Sequence, residues 1–118
     1  MPSPCAVVPA IDPNVLAAYL GDDRDSIRTV LLKFRESALE SEALIAAAWR
    51  CTDLVALAAG AHRLAGSADA VGAKALGAVA HGLERAGKAA DRDGCRSGID
   101  RLGRELQRAL AEIPGEPG

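Results

Sequence analysis

Apolar residues recur along most of the chain at alternating spacings of three and four residues, the period at which an α-helix buries one face. These stripes predict four long amphipathic helices. Their inward positions are Ile27, Val30, Phe34, Ala38, Ser41, Ile45 and Ala48; Leu54, Leu57, Ala61, Leu64, Ala68 and Val71; Leu76, Val79 or Ala80, Leu83, Ala86 and Ala90; and Cys95, Ile99, Leu102, Leu106, Ala109 and Ile113. No segment shows the strict apolar and polar alternation that is typical of a β-strand.

Capping residues predict where the helices begin and end. Asp12-Pro13 predicts the start of a short first helix, because aspartate caps helices well and proline suits the first helical position. Gly21 predicts its end. Further boundaries are predicted at the aspartates Asp22, Asp23 and Asp25, at Thr52-Asp53, at Val71-Gly72, at a turn over Asp91–Gly94 and at Pro114.

Long helices with short connections predict an all-α fold, namely an antiparallel up-and-down four-helix bundle with a short additional N-terminal helix. The chain has 118 residues, 49% of them hydrophobic. This size favours a single domain over residues 1–118 with an ordered core of about 12–113. With one Phe, one Tyr and one Trp, the core must consist of Leu, Val, Ile and Ala, whose small members let helices approach closely.

The charge and cysteine content exclude several classes of function. The net charge of -2 provides no basic surface for nucleic acid. No segment has the roughly 20 apolar residues of a membrane span, and residues 1–5 lack the features of a signal peptide, so a cytoplasmic protein without membrane contact is expected. Cys5, Cys51 and Cys95 are far apart and lack the spacing of a zinc site or a disulfide framework, so reduced thiols and no bound metal are expected.

His62 lies just off the central apolar stripe, and its helical neighbours three and four positions away are Ala58, Ala59, Ala65 and Gly66. A helical side chain leans toward the N-terminal turn, so the ring is expected over Ala58 and Ala59, with a free approach from the other side. Glycine within a helix costs roughly 1 kcal/mol relative to alanine, which makes Gly66 notable. The pattern predicts an exposed imidazole, but a solvated structural histidine beside a tightly packed glycine has the same signature.

The residues around His62 resemble the signature of histidine-containing phosphotransfer (HPt) domains. Residues 61–67 read Ala-His-Arg-Leu-Ala-Gly-Ser, followed by Gly72-Ala73 and, on the next helix, by Leu83-Glu84. The family pattern runs Ala-His-x-Leu-Lys-Gly-Ser, then Gly-Ala, then Leu-Glu. One position departs from it, because Ala65 stands where the family usually carries a lysine that helps to steady the phosphate.

The resemblance implies that His62 accepts a phosphoryl group at Nε2 from the aspartyl phosphate of one receiver domain and passes it to another receiver. It also places Glu84 opposite His62, where the carboxylate can orient the imidazole. The receiver would supply Mg²⁺, so this monomeric phosphocarrier would need neither ATP nor a cofactor of its own. The predicted partner-binding residues are Ala58, Ala59, Arg63, Ala65, Gly66, Asp69 and Arg85.

Two other interpretations of the site remain. The chain can be an HPt-like binding module that docks a receiver or another regulator without transferring a phosphoryl group. Metal-dependent catalysis by His62 and His81 lacks a third ligand at a recognised spacing. His81 is itself predicted to be partly covered and paired with a carboxylate, because Glu84 and Arg85 follow it on the same helix.

Overall fold

The computed structural model describes residues 9–113, which form five α-helices and no strand. The helices are α1 (Pro13–Leu20), α2 (Arg24–Arg50), α3 (Leu54–Val71), α4 (Lys74–Lys88) and α5 (Arg92–Ala111). This architecture confirms the predicted helical bundle with a short additional N-terminal helix. Cys5 and the predicted stop at Pro114 lie outside the described residues.

Aspartates begin four of these helices. Asp12, Asp23, Asp53 and Asp91 each accept a hydrogen bond from a backbone N–H in the first turn of α1, α2, α3 and α5, respectively. Such a cap typically contributes about 1 kcal/mol. The α4 helix begins instead after Ala73, which provides no side-chain cap. The predicted starts of α1 and α3 are therefore confirmed.

The connection between α4 and α5 differs from the prediction. Asp91–Gly94 was expected to be a turn, but Asp91 caps α5 and accepts a hydrogen bond of 3.0 Å from the backbone N–H of Gly94. The chain reverses before this point, where Ala90 adopts a left-handed φ of 55°. Ala90 is consequently exposed and lies outside α4 instead of extending its buried stripe. An aspartate three residues before a glycine suits both a turn and a helix cap, so the sequence pattern does not separate them.

The core lies between α2, α3, α4 and α5 and contains most of the inward residues that the stripes predict; Ala90 is exposed, and Ile27 and Ile99 are only partly buried. The largest of them are buried, and they include Phe34, Leu57, Leu64, Leu76, Leu83, Leu102 and Leu106. Glycines let α3 approach its neighbours closely: a Cβ atom on Gly60 would lie 2.9 Å from Ile45 Cγ1, and one on Gly87 would lie 3.1 Å from Ala58 Cβ. The close approach of α3 and α4 decides which side chains meet across their shared surface.

Hydrogen bonds hold the start of α1 against the connection between α3 and α4 and against Glu112. Asp12 donates its backbone N–H to the Gly72 carbonyl at 2.9 Å, and the Glu112 carboxylate accepts hydrogen bonds from the N–H groups of Ala10 and Ile11. Gly72 ends α3 with a φ of 82°, a left-handed conformation that favours glycine. Within residues 9–113, no helix combines the length and the apolar character that crossing a membrane requires.

Candidate functional site

His62 lies in the middle of α3 and projects from the seam that α3 forms with α4. Its side chain is 71% exposed, whereas Ala61 before it and Leu64 after it are fully buried. The exposure predicted from its small neighbours is therefore observed. The buried stripe anchors the helix while the imidazole remains accessible.

Glu84 of α4 holds one nitrogen of this imidazole. Its Oε2 atom lies 3.0 Å from His62 Nδ1, and its side chain is only 12% exposed. An ionised carboxylate can only accept a hydrogen bond, so Nδ1 carries a proton and donates a hydrogen bond to Glu84. The lone pair of the neutral ring is then on Nε2. The geometry gives His62 an orientation and a nucleophilic nitrogen.

Lys88 is a third member of this group and was not predicted from the sequence. Its Nζ lies 2.9 Å from the same Oε2 atom of Glu84. The hydrogen bond from Lys88 is the main influence that lowers the pKa of Glu84; His62 also lowers it, and burial acts in the opposite direction. The carboxylate is therefore ionised at neutral pH. Glu84 and Lys88 have the glutamate-to-lysine spacing of a helical ion pair, and this was the available signal.

His81 of α4 is paired mainly with Asp69 of α3. Its Nε2 lies 2.9 Å from Asp69 Oδ2, while its Nδ1 is 4.0 Å from Glu84 Oε1. The expected carboxylate partner is thus present, but the nearer one comes from the neighbouring helix. Gly77 makes room for it, because a Cβ atom there would collide with the Asp69 carboxylate. Since both ring nitrogens face carboxylates, His81 is less available than His62.

A groove of about 660 Å³ runs beside His62 along the seam between α3 and α4. Its lining residues are Val55, Ala58, Ala59, His62, Arg63, Glu84, Gly87 and Lys88. Val55 is 83% exposed and was not predicted as part of the site, although it lies two helical turns before His62 on the same face. The groove therefore presents apolar surface next to the imidazole, with charged groups beside it.

The structure corrects the prediction at Ala65 and places Arg85 away from the His62 groove. Ala65 is fully buried, because its position lies beside the inward stripe, and its side chain offers no surface to a partner. Arg85 lies on another side of α4, where it lines a separate groove of about 620 Å³ together with residues of α5 that include Arg101. Neither residue borders the His62 groove.

Gly66 and Asp69 remain on the exposed surface of α3. Nothing lies within 4 Å of the position that a Cβ atom on Gly66 would take. Tight helix packing therefore does not explain this glycine. Asp69 is bound to His81, two turns along from His62.

Residues 9–113 contain no cluster of three or more histidine, cysteine, aspartate or glutamate side chains with the arrangement of a metal site. Cys51 is exposed and Cys95 is buried, and both are free thiols. Burial, together with the charge of Asp91, raises the pKa of the Cys95 thiol.

Comparison with known protein families identifies the class to which this fold and site belong. The family model of the Hpt domain matches residues 29–113. The chain therefore belongs to the Hpt domain family, the histidine-containing phosphotransfer domains of two-component signalling. Domains of this family are phosphocarrier modules rather than kinases, and they interact with the receiver domains of response regulators.

A particular solved structure is also similar. It is the crystal structure of histidine-containing phosphotransfer protein B (HptB) from Pseudomonas aeruginosa PAO1, with 24% sequence identity and a TM-score of 0.81. The alignment covers 89% of this chain and 92% of that one. At this identity the likeness concerns the fold. No curated protein sequence matches the chain.

Proposed function

We propose that this domain is a phosphorelay intermediate in which His62 accepts a phosphoryl group from the aspartyl phosphate of one receiver domain and passes it to the aspartate of another. The observation that carries the proposal is the hydrogen bond of 3.0 Å between His62 Nδ1 and Glu84 on an otherwise exposed imidazole. A histidine held in this way has a fixed tautomer and a free nucleophilic nitrogen.

Transfer to His62 needs no added base, because the attacking Nε2 atom carries no proton. The lone pair of His62 Nε2 attacks phosphorus, an N–P bond forms, and the P–O bond to the aspartyl carboxylate breaks. The released aspartate takes the bonding electron pair. The Nδ1 proton stays on the ring, and the Glu84 carboxylate compensates the positive charge that develops there. Transfer to the second receiver reverses these steps, and Mg²⁺ bound by the receiver would stabilise the charge on the transferring group.

The surroundings of His62 support the docking of a receiver domain. Val55 and Ala59 provide exposed apolar surface on the side toward which the ring leans. Gly66 leaves open space on the other side. A receiver can therefore bring its phosphorylated aspartate to Nε2 without displacing a side chain at position 66.

Incubation with a phosphorylated receiver domain tests this function. His62→Gln should abolish labelling, whereas His81→Gln should retain it, because the Nε2 atom of His81 is held by Asp69 and its Nδ1 atom lies 4.0 Å from the Glu84 carboxylate. Circular dichroism of both variants checks that the fold is intact. Equal labelling of the wild type and His62→Gln would rule out the assignment.

A second candidate function is a binding module that docks a receiver without accepting its phosphoryl group. The observation in its favour is Ala65, which is uncharged and buried where the family usually carries lysine. Titration calorimetry with a receiver domain, followed by assay for labelled His62, separates the two functions. Binding without labelling would favour the module.

A further inference from the structure

Phosphorylation of the His62 ring that Glu84 orients creates an electrostatic problem. A protein phosphoryl group carries a charge of about -1.5 to -2 at neutral pH. Glu84 is held 3.0 Å from the same ring, and its lowered pKa keeps it ionised. The protonated ring and Glu84 then balance each other, so the charge of the phosphoryl group stays uncompensated unless a further cation lies close to it.

Three basic side chains near the seam can be compared as that cation. Arg85 lines the groove between α4 and α5 and does not border the His62 groove. Arg63 borders the groove but follows His62 directly, so it points about 100° away around the helix. Lys88 borders the groove and is bound to the Glu84 oxygen that holds the imidazole. Lys88 is therefore the cation that the structure ties to the site.

The direction of the His62 side chain also favours Lys88. A helical side chain leans toward the N-terminal turn, and the groove beside His62 accordingly includes Ala58 and Ala59 but not residue 65. Lys88 borders this same part of the groove. Its side chain is 68% exposed, which leaves the ammonium group free to adjust its position. An ammonium has three donors and can bind the carboxylate and a further oxygen together.

We propose that Lys88 binds the phosphoryl group of phosphorylated His62 and compensates its charge, while remaining in contact with Glu84. In the unphosphorylated protein the ammonium group donates to Glu84 Oε2. After phosphorylation at Nε2, it donates a second hydrogen bond to a phosphoryl oxygen. This inference rests on the proposed function of His62, and it assigns to Lys88 direct contact with the transferred group.

The lifetime of phosphorylated His62 tests the proposal without a partner protein. Phosphoramidate labels the protein chemically, and decay of the labelled histidine is followed in the wild type, Lys88→Gln, Lys88→Arg and the control Arg85→Gln. Lys88→Gln should shorten the half-life at least about threefold, as expected for the loss of an exposed charged contact. Lys88→Arg and Arg85→Gln should stay within about twofold of the wild type, since neither removes a positive charge from the site. Equal half-lives in the wild type and Lys88→Gln would overturn the proposal.

A second comparison separates direct contact from an effect through Glu84. Lys88→Gln is introduced into a Glu84→Gln background, where Lys88 no longer has a carboxylate to hold. Direct contact with the phosphoryl group predicts that the double variant still loses its label faster than Glu84→Gln alone. Identical decay of these two proteins would mean that Lys88 acts only through Glu84, and would refute the proposal.

Different results would contradict the relay function of His62 and the role of Lys88. If no receiver transfers a phosphoryl group to His62 but Lys88→Gln accelerates decay of the chemically labelled protein, the relay function is wrong and the role of Lys88 stands. If receivers label His62 but Lys88→Gln has no effect on decay, the reverse holds. Failure of phosphoramidate to label His62 would contradict both, because each requires a nucleophilic Nε2 atom.

Discussion

Two histidines face carboxylates on the seam between α3 and α4, and their surroundings differ in one decisive respect. His62 is bound through Nδ1 to Glu84 and is 71% exposed. His81 is bound through Nε2 to Asp69, has its Nδ1 4.0 Å from Glu84, and is 44% exposed. A carboxylate at one nitrogen orients an imidazole and leaves the other nitrogen free. With carboxylates near both of its nitrogens, the His81 ring is less available as a nucleophile.

The small residues of the seam serve these two histidines differently. Beside His62, Ala59 and Gly66 leave accessible space for a partner. Beside His81, the missing side chain of Gly77 provides the space in which Asp69 lies. Similar residue types therefore expose one imidazole and pair the other. If this difference sets the chemistry, substitutions around His62 should change phosphoryl transfer and those around His81 should not.

The largest effect is expected from removing the carboxylate that orients His62. Glu84→Ala should slow labelling by phosphoramidate, which involves no receiver contact, roughly ten- to hundredfold, because a hydrogen bond to a charged group contributes about 1.5–3 kcal/mol. Asp69→Asn is the matched control, since it alters only the partner of His81, and it should change the rate less than about twofold. The check is the initial rate of phosphoryl acceptance. Equal slowing by both substitutions would remove the distinction between the two histidines.

The next effect concerns position 65, which lies on α3 between these two sites in sequence but faces inward. Ala65→Lys should lower the free energy of unfolding by about 1–3 kcal/mol, because a long side chain must enter a packed region. Ala70→Lys on the exposed surface of α3 should stay within about 0.5 kcal/mol of the wild type. Urea unfolding of the two variants measures the difference. A stable Ala65→Lys protein would show that this position opens readily to solvent.

The pH dependence of the His62 site is expected to follow Glu84. Lys88 and His62 lower the pKa of this carboxyl group in the folded protein. The folded protein therefore stabilises the ionised carboxylate more than the unfolded chain does. The resulting stabilisation is present above the ordinary carboxyl pKa and is lost as the pH falls through the lowered value. Lys88→Gln should raise the pKa of Glu84, and NMR titration of its side-chain carboxyl carbon measures the shift. An unchanged pKa would contradict the role assigned to Lys88 here.

The smallest effect on stability is expected at Gly66. Gly66→Gln should increase the free energy of unfolding by up to roughly 0.5 kcal/mol, since glutamine is the better helix former and open space surrounds the position. The same substitution should slow transfer by obstructing the receiver. Gly103→Gln on α5 provides the control, because that glycine is equally open and α5 does not pack against α3. Thermal melts and labelling rates together test this, and equal transfer by both variants would show that receivers do not approach over Gly66.

Much of the fold follows from local rules that the sequence displays directly. The stripes through Phe34, Leu64 and Leu102 predict buried faces because helical periodicity alone decides which side is apolar. The start of α5 was misplaced because Asp91 and Gly94 suit two local structures, and the reversal at Ala90 has no glycine to mark it. The buried faces of the helices were therefore easier to predict than the start of α5.

The site was predictable where it lies on one helix or follows the family pattern, as His62 and Glu84 do. Lys88 was missed because its importance depends on which α4 residue meets His62 across the seam. Which groove Arg85 borders could not be predicted for the same reason, since it depends on the rotation of α4. Ala65 was placed on the surface although it lies close in angle to the buried stripe. The positions of Lys88, Arg85 and Ala65 depend on contacts between helices, and the residue spacing along a single helix does not predict those contacts.

The central claim is that Glu84 holds Nδ1 of His62 and thereby leaves Nε2 to accept phosphorus. Nitrogen-15 NMR of the histidine rings, recorded before and after phosphorylation, measures this directly. The account predicts that the neutral His62 ring carries its proton on Nδ1 and that phosphorylation produces a phosphorus coupling at Nε2 of the same ring. A neutral ring protonated at Nε2, or phosphorus on Nδ1 or on His81, would contradict it.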